Sequence, residues 1–277
     1  MKRILSLIGI TLVCVLTATG CNNTQETTNE TNDSKRVITV GASPTPHGEI
    51  LEVAKAELAE KGITLEIKEF NDYVIPNKVT DSGEIDANFF QHGPYLDNFN
   101  EENGTSLVPV AEIHYEPFAI YKGKVDSIEA LKDGSAIAVP NDGTNEGRAL
   151  KLLEAQGIIK LRDNVGFTAT KIDIVENPLN IDIKEIEAAQ LARALSDVDL
   201  SVINGNYAIQ AGLSVANDTI VAEDKESDAA KTYVNVLVVK EGNESNEDII
   251  ALVEALKSDK VKTFIEERFE GAVVPMF

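Results

Sequence analysis

Tryptophan is absent from this 277-residue chain, histidine occurs three times and cysteine twice. Both cysteines, Cys14 and Cys21, lie near the start, so no internal disulfide can staple the body and burial alone must hold it together. Long apolar runs are equally scarce. One uncharged stretch stands out, Ile4–Val15 (ILSLIGITLVCV), preceded by Lys2 and Arg3 and followed by small residues up to Cys21. Its length and flanks describe a secretory signal and are wrong for a membrane span.

That stretch ends in LTATGC, where Ala18, Thr19 and Gly20 fill the three positions before Cys21. The layout resembles a bacterial lipobox, in which leucine is commoner at the position of Ala18. Cleavage before Cys21 removes Cys14 and leaves one thiol, and lipidation explains why an exported chain keeps it. An ordinary secretory signal with an incidental cysteine is the alternative. Residues 1–20 thus read as a lipoprotein signal peptide. Residues 21–35 read as lipidated Cys21 followed by NNTQETTNETNDSK, too polar to bury surface and spanning about 20 Å as flexible coil. The expected location is the extracytoplasmic face of a cell membrane, held by palmitate-type anchoring.

Positive charge is also in short supply, with 25 Lys and Arg against 46 Asp and Glu. A field of that sign repels nucleic acid and anionic headgroups, so an anionic ligand needs a dedicated local cation. There is no GxxxxGK[ST] for nucleotide phosphates, no GxSxG nucleophile, and no HExxH or CxxC metal pattern. No nucleophile or acid/base pair is apparent and no cofactor is called for, which argues against an enzyme. His47, His92 and His114 all fall early in the chain among many carboxylates, so a zinc-type metal receptor stays open as an alternative.

Strands and helices alternate along the body. Arg36–Gly41, Ile63–Phe70 and Ile85–Phe90 read as strands, and Ile50, Leu51, Val53, Ala54 and Leu58 recur at helical spacing within Pro46–Lys61. A short helix starts at Pro76 and another spans Pro94–Asn103. Strands follow at Leu107–His114, Phe118–Tyr121 and Ser135–Val139. A helix at Asn145–Gln156 stops at Gly157. The later strands are Ile172–Val175, Ile181–Ile186, Val198–Ile203 and Tyr233–Lys240. The later helices are Glu187–Leu195, Asn206–Ala211, Asn246–Lys257 and Asp259–Phe269. No internal repeat is present. The alternation is that of an α/β fold, whose ligands bind beyond the carboxyl ends of strands, often at a lobe junction.

Candidate residues therefore follow strands. In PNDGTNEGRAL (Pro140–Leu150), Thr144 or Asn145 can cap a helix with Arg148 in its first turn, where a cation opposes the helix dipole. The placement makes sense if Arg148 and free helix N–H groups converge on an anion; pairing with Asp142 or Glu146 at the surface is the other reading. In VINGNYA, Asn204 suits the donors and acceptors of a zwitterion or caps a helix, and Asn206 reads as a cap. Asn235 interrupts the apolar strand YVNVLVV and needs partners if buried. Tyr73, Phe90, His92 and Tyr95, from DYVIPN and DANFFQHGPYL, line either a slot for an apolar ligand arm or an ordinary core. Phe89 and Phe90 are neighbours on a strand and should face opposite ways.

Taken together, FNDYVIPN, GEIDANFFQHGPYLDNF, VPNDGTNEGRALKLLE, VENPLNI, AAQLARALSDVD, VINGNYA and YVNVLVV resemble the NlpA-type methionine-binding lipoproteins over essentially the whole mature body. Those are the substrate-binding components of methionine ABC importers. The resemblance implies a two-lobed, type II periplasmic-binding-protein-like fold with the ligand cleft between lobes. It implies crossings near Glu116–Lys122 and Thr232–Asn235, with residues 36–117 plus 234–277 as lobe 1 and 118–233 as lobe 2. It further implies a monomer that delivers L-methionine, D-methionine or a Met-containing dipeptide to permease and ATPase subunits. Arg148 then looks like the carboxylate clamp, Asn145, Asn204 and Asn235 like partners of the ligand's backbone atoms, and Tyr73, Phe90, His92 and Tyr95 like the thioether pocket, with His114 a further candidate. Gly143 stands where proline is common in the family, and Phe89 where tyrosine or a small residue is often found. On this reading Arg148→Ala nearly abolishes methionine binding and leaves the ligand-free melting temperature within a few degrees.

Overall fold

The computed structural model describes residues 36–277, so the signal peptide, Cys21 and the tether lie outside the described residues. The strands, in chain order, are β1 (Arg36–Ala42), β2 (Ile63–Glu69), β3 (Ala87–His92), β4 (Leu107–Tyr115), β5 (Ala119–Lys122), β6 (Ala136–Pro140), β7 (Lys160–Leu161), β8 (Ile174–Glu176), β9 (Asp182–Ile186), β10 (Leu200–Ile203), β11 (Thr219–Ala222), β12 (Val234–Lys240) and β13 (Val274–Pro275). They form two mixed sheets, ordered β13-β4-β12-β3-β1-β2 and β11-β5-β10-β6-β9, with β7 and β8 as a separate hairpin. The chain passes from the first sheet to the second between Tyr115 and Ala119 and returns between Ala222 and Val234.

The helices are α1 (Glu49–Glu60), α2 (Ile75–Asp81), α3 (Gly93–Asn103), α4 (Gly143–Ala155), α5 (Leu191–Ala194), α6 (Gly205–Gln210), α7 (Val215–Asp218), α8 (Asp228–Thr232), α9 (Glu247–Leu256) and α10 (Asp259–Phe269). Apolar faces of α1, α9 and α10 close over one side of the first sheet, where Leu51, Leu58, Leu252 and Ile265 meet Val40, Phe89, Ile113 and Leu237. Leu96, Leu107, Val236 and Val238 cover the other side. Burial on both faces is why β12 reads as an almost unbroken apolar run. The second sheet is covered by α4 through Leu150 and Leu153 and, on its far face, by Leu191 and Tyr207. Among the described residues no helix is long and apolar enough to cross a membrane.

Several boundaries differ from the sequence reading for local reasons. A π-type turn over Pro44–Gly48, with Thr45 extended, precedes the regular α-helix, which runs from Glu49 instead of Pro46. The helix carrying Arg148 begins at Gly143, because the Asp142 carboxylate accepts the Asn145 N–H as an N-cap. Arg148 therefore sits in the second turn, where the opposing dipole is weaker than in the first. Ile172–Asp173 belongs to a 3₁₀ turn ahead of β8, and Ala188–Gln190 to another ahead of α5. The four-residue elements α7 and β11 were not anticipated; they are too short to show a period.

A register shift against β12 makes Phe90 an extra residue on β3. Such a bulge re-aims the strand it interrupts. Phe89 turns into the first core, edge-on to His47 and His114, while Phe90 joins Tyr95 and Phe99 on the opposite side. Phe89 is fully buried, so Phe89→Ala should lower unfolding free energy by about 3–5 kcal/mol in urea titrations, and a loss below about 1 kcal/mol would contradict this packing.

Candidate functional site

Between the two sheets lies a cavity of about 350 Å³, counting its opening to solvent. It is built where elements end: β3 hands over to α3 at His92, β6 to α4 and β10 to α6 at Asn204, while Asn235 stands at the start of β12. Eight of the nine ligand candidates line it, namely Tyr73, Phe90, His92, Tyr95, Asn145, Arg148, Asn204 and Asn235. His114 does not; it is fully buried behind Glu116. Cys21 lies outside the described residues.

One wall is aromatic. The Tyr73 ring centroid is 5.8 Å from that of Phe90, 5.7 Å from Tyr95 and 5.0 Å from Tyr207. The Tyr95 hydroxyl donates to the Tyr73 carbonyl at 3.0 Å, and the Tyr73 hydroxyl donates to Asn206 Oδ1 at 2.6 Å. Gln91 also borders the cavity but is turned inward. Its amide exchanges hydrogen bonds with Asn77 at 2.6 and 2.9 Å and donates to Asn88 at 2.8 Å, tying α2 to β3.

The amides form a second group. Asn145 Oδ1 accepts from Asn204 Nδ2 at 2.8 Å and lies 3.2 Å from His92 Nε2. His92 Nδ1 accepts the Tyr95 N–H at 3.2 Å, capping α3, so Nε2 carries the proton and the ring is neutral. Burial, reinforced by the Arg148 charge, lowers its pKa to about 3. Asn235, the polar interruption of β12, finds its partner in His47: the two lie 2.9 Å apart, Nε2 to Oδ1. Asn204 Oδ1 and Asn206 Nδ2 are buried without a partner among the described residues.

Arg148 is buried, and neither Asp142 nor Glu146 pairs with it. Nε donates to Glu223 Oε1 at 3.0 Å, and Nη2 donates to Glu223 Oε2 at 2.5 Å and to the Glu116 carbonyl at 3.0 Å. The guanidinium carbon lies 4.7 Å from the Phe118 ring centre and 4.2 Å from that of Tyr233. Glu223 Oε2 further accepts the Tyr115 hydroxyl at 2.6 Å and the Phe118 N–H at 3.0 Å. Burial alone would push this carboxyl up; the Arg148 charge and these donors outweigh it and hold the carboxyl below its ordinary value.

Glu116 occupies the first crossing between the sheets. One carboxylate oxygen accepts from His114 Nε2 at 2.8 Å and lies 3.5 Å from His47 Nε2. The carboxylate also takes the Asn206 main-chain N–H, although burial still raises its pKa. A Cβ on Gly205 would fall 2.7 Å from Glu116 Oε2, so that glycine is what lets the carboxylate approach α6. The metal reading of His47, His92 and His114 is not sustained. The residues that converge are His47, His114 and Glu116, both Nε2 atoms face one oxygen as in a hydrogen-bonded set, and His92 is engaged elsewhere with Asn145. Glu116 and Glu223 were missed in the sequence. Glu116 follows directly on a strand, but a single acid in an acidic chain did not stand out, and Glu223 follows β11, a strand too short to be read.

The buried neutral histidines fix a pH dependence. With His92 held near 3, the unfolded chain takes up that proton first as pH falls below about 6.5, so stability is lost through that window. In denaturant titrations His92→Asn, which can still cap α3, should flatten the slope of stability between about pH 6 and 4 by about 1.4 kcal/mol per pH unit. An unchanged slope would contradict a neutral His92.

The sequence profile of the NlpA lipoprotein family matches residues 38–277. The D-methionine-binding lipoprotein MetQ of Salmonella typhimurium is 44% identical over 266 residues, covering 95% of this chain and 94% of that one. Among solved structures, lipoprotein Tp32 from Treponema pallidum superposes with a TM-score of 0.83 at 42% identity, over 87% of this chain and 100% of that one. A nutrient-binding protein from Burkholderia cenocepacia, solved bound to methionine, does so with a TM-score of 0.83 at 41% identity, over the same shares. Their shared architecture is the two-lobed α/β fold of substrate-binding proteins, and the sequence and fold together place this chain in the NlpA lipoprotein family.

Proposed function

We propose that this protein is a lipid-anchored receptor that captures methionine between two lobes and delivers it to a membrane ABC importer. Lobe 1 comprises residues 36–117 and 234–277, and lobe 2 residues 118–233. The observation that carries the reading is the cavity's lining: a buried guanidinium, a cluster of aromatic rings and unpartnered amide atoms. That is the complement of an amino-acid zwitterion with an unbranched apolar arm. The names of the relatives from Salmonella typhimurium and Burkholderia cenocepacia support methionine as the ligand.

The ligand carboxylate takes Arg148 Nη1, because Nε and Nη2 are held by Glu223 and the Glu116 carbonyl. The ammonium faces Glu116 and the free acceptor Asn204 Oδ1, and Asn235, whose Oδ1 meets His47, offers its Nδ2. Asn145 and His92 pair across the cleft and hold this frame, while His114 serves from behind by fixing Glu116. The thioether lies among Tyr73, Phe90 and Tyr95, where sulfur–aromatic contacts contribute about 0.3–1.5 kcal/mol. Ligand groups that touch both lobes favour the closed arrangement by their differential contacts. The protein acts as a monomer at the extracytoplasmic face, docking on the permease of a permease–ATPase importer, and it catalyses no reaction.

Removing Arg148 alone is a poor test, since it strands the buried Glu223 carboxylate at a cost of about 3–5 kcal/mol; the ligand-free melting temperature would drop well beyond a few degrees. The double variant Arg148→Met with Glu223→Gln removes both charges. It should stay folded and weaken methionine binding by at least about 100-fold in calorimetry, as loss of a charge-assisted carboxylate contact predicts. Affinity within threefold of the wild type would sink the assignment of Arg148.

A further inference from the structure

We propose that Asn206 selects sulfur over carbon in the ligand's side chain, an inference that rests on the methionine reading above. The sequence assigns Asn206 to a helix cap, but Asn204 occupies the cap position and Asn206 lies inside α6. Its side chain is 3% exposed and lines the cavity. Oδ1 accepts the Tyr73 hydroxyl at 2.6 Å, which keeps the amide beside that ring and leaves its other atom, Nδ2, for a different partner. Nδ2 is buried and has no partner among the described residues. A buried donor left unpaired in a binding cavity is an invitation to an acceptor on the ligand.

The position of this donor says which acceptor. Arg148 holds the carboxylate end, and Asn206 is bonded to Tyr73, which with Phe90 and Tyr95 forms the aromatic slot for the far end of the side chain. The free acceptor for an ammonium is a different atom, Asn204 Oδ1. Thioether sulfur is a weak hydrogen-bond acceptor, and a methylene is none. Methionine thus gives Nδ2–H a partner. Norleucine, with CH₂ in place of sulfur and otherwise nearly the same shape, leaves it stranded. Sites built around a polar group on the substrate reject analogues lacking it more strongly than an apolar slot rejects a small change in shape.

The test is calorimetry on the mature protein with methionine and norleucine of the same configuration, for the wild type, Asn206→Leu and Asn206→Ala. The wild type should favour methionine by roughly tenfold, weaker than discrimination built on a strong acceptor. In both variants the ratio should fall to about twofold or less through loss of methionine affinity, as removal of the donor requires. Norleucine binding should hold within about threefold, since it never engaged that donor, and its retention shows that the variants fold. An unchanged ratio overturns the proposal. So does an equal loss of both ligands, which would assign Asn206 to holding Tyr73. Failure of the wild type to bind methionine at all would instead remove the functional reading itself.

Discussion

Arg148 carries a full charge on a side chain about 5% exposed, and much of the cleft follows from keeping that charge compensated. A lone buried guanidinium is costly by several kcal/mol, and a counter-ion with good geometry offsets most of that. Glu223 supplies it from the segment that returns to the first sheet. The same carboxylate takes Tyr115 and Phe118 from the segment that leaves it. One ion pair therefore fastens both connections between the sheets and fixes the guanidinium at the cavity. It also limits the cation: with Nε and Nη2 engaged, Nη1 is what the proposed reading leaves for a carboxylate, end-on instead of as a two-pronged fork.

The second charged cluster works by a different balance. Glu116 sits against two neutral histidines and a helix N–H; burial raises its own pKa and holds His47 at about 4 and His114 at about 3. Neutral imidazoles donate hydrogen bonds to this carboxyl without placing a second positive charge in the cleft. Arg148 and Glu223 neutralise each other, and Glu116 lies apart from that pair with its histidines. A zwitterion can use both the guanidinium and the acceptors on the other side of the cleft, and an uncharged apolar molecule leaves them unmatched.

The alternation of strands and helices and several residues just after strand ends were legible because period and turn chemistry are local properties. Phe89 and Phe90 were expected to face opposite ways, and they do, although the bulge that aims Phe90 depends on pairing with β12 and has no signature in β3 itself. Asn235 was legible as a polar break in an apolar strand; its partner His47, far away in sequence, was not. Glu223 and Glu116 were hidden for the same reason. What makes an acid important here is the cation or ring beside it, and those neighbours are assembled by the sheets. The start of α4 was misplaced because Asp142 competed with two other plausible caps within three residues.

The central claim is that the space between the sheets is a methionine site, and the most direct measurement is mass spectrometry of whatever small molecule the purified protein releases on denaturation. The account predicts methionine, released near one equivalent from protein purified without a stripping step or after incubation with a mixture of amino acids. Release of an amino acid without sulfur, or of no small molecule after that incubation, would contradict it.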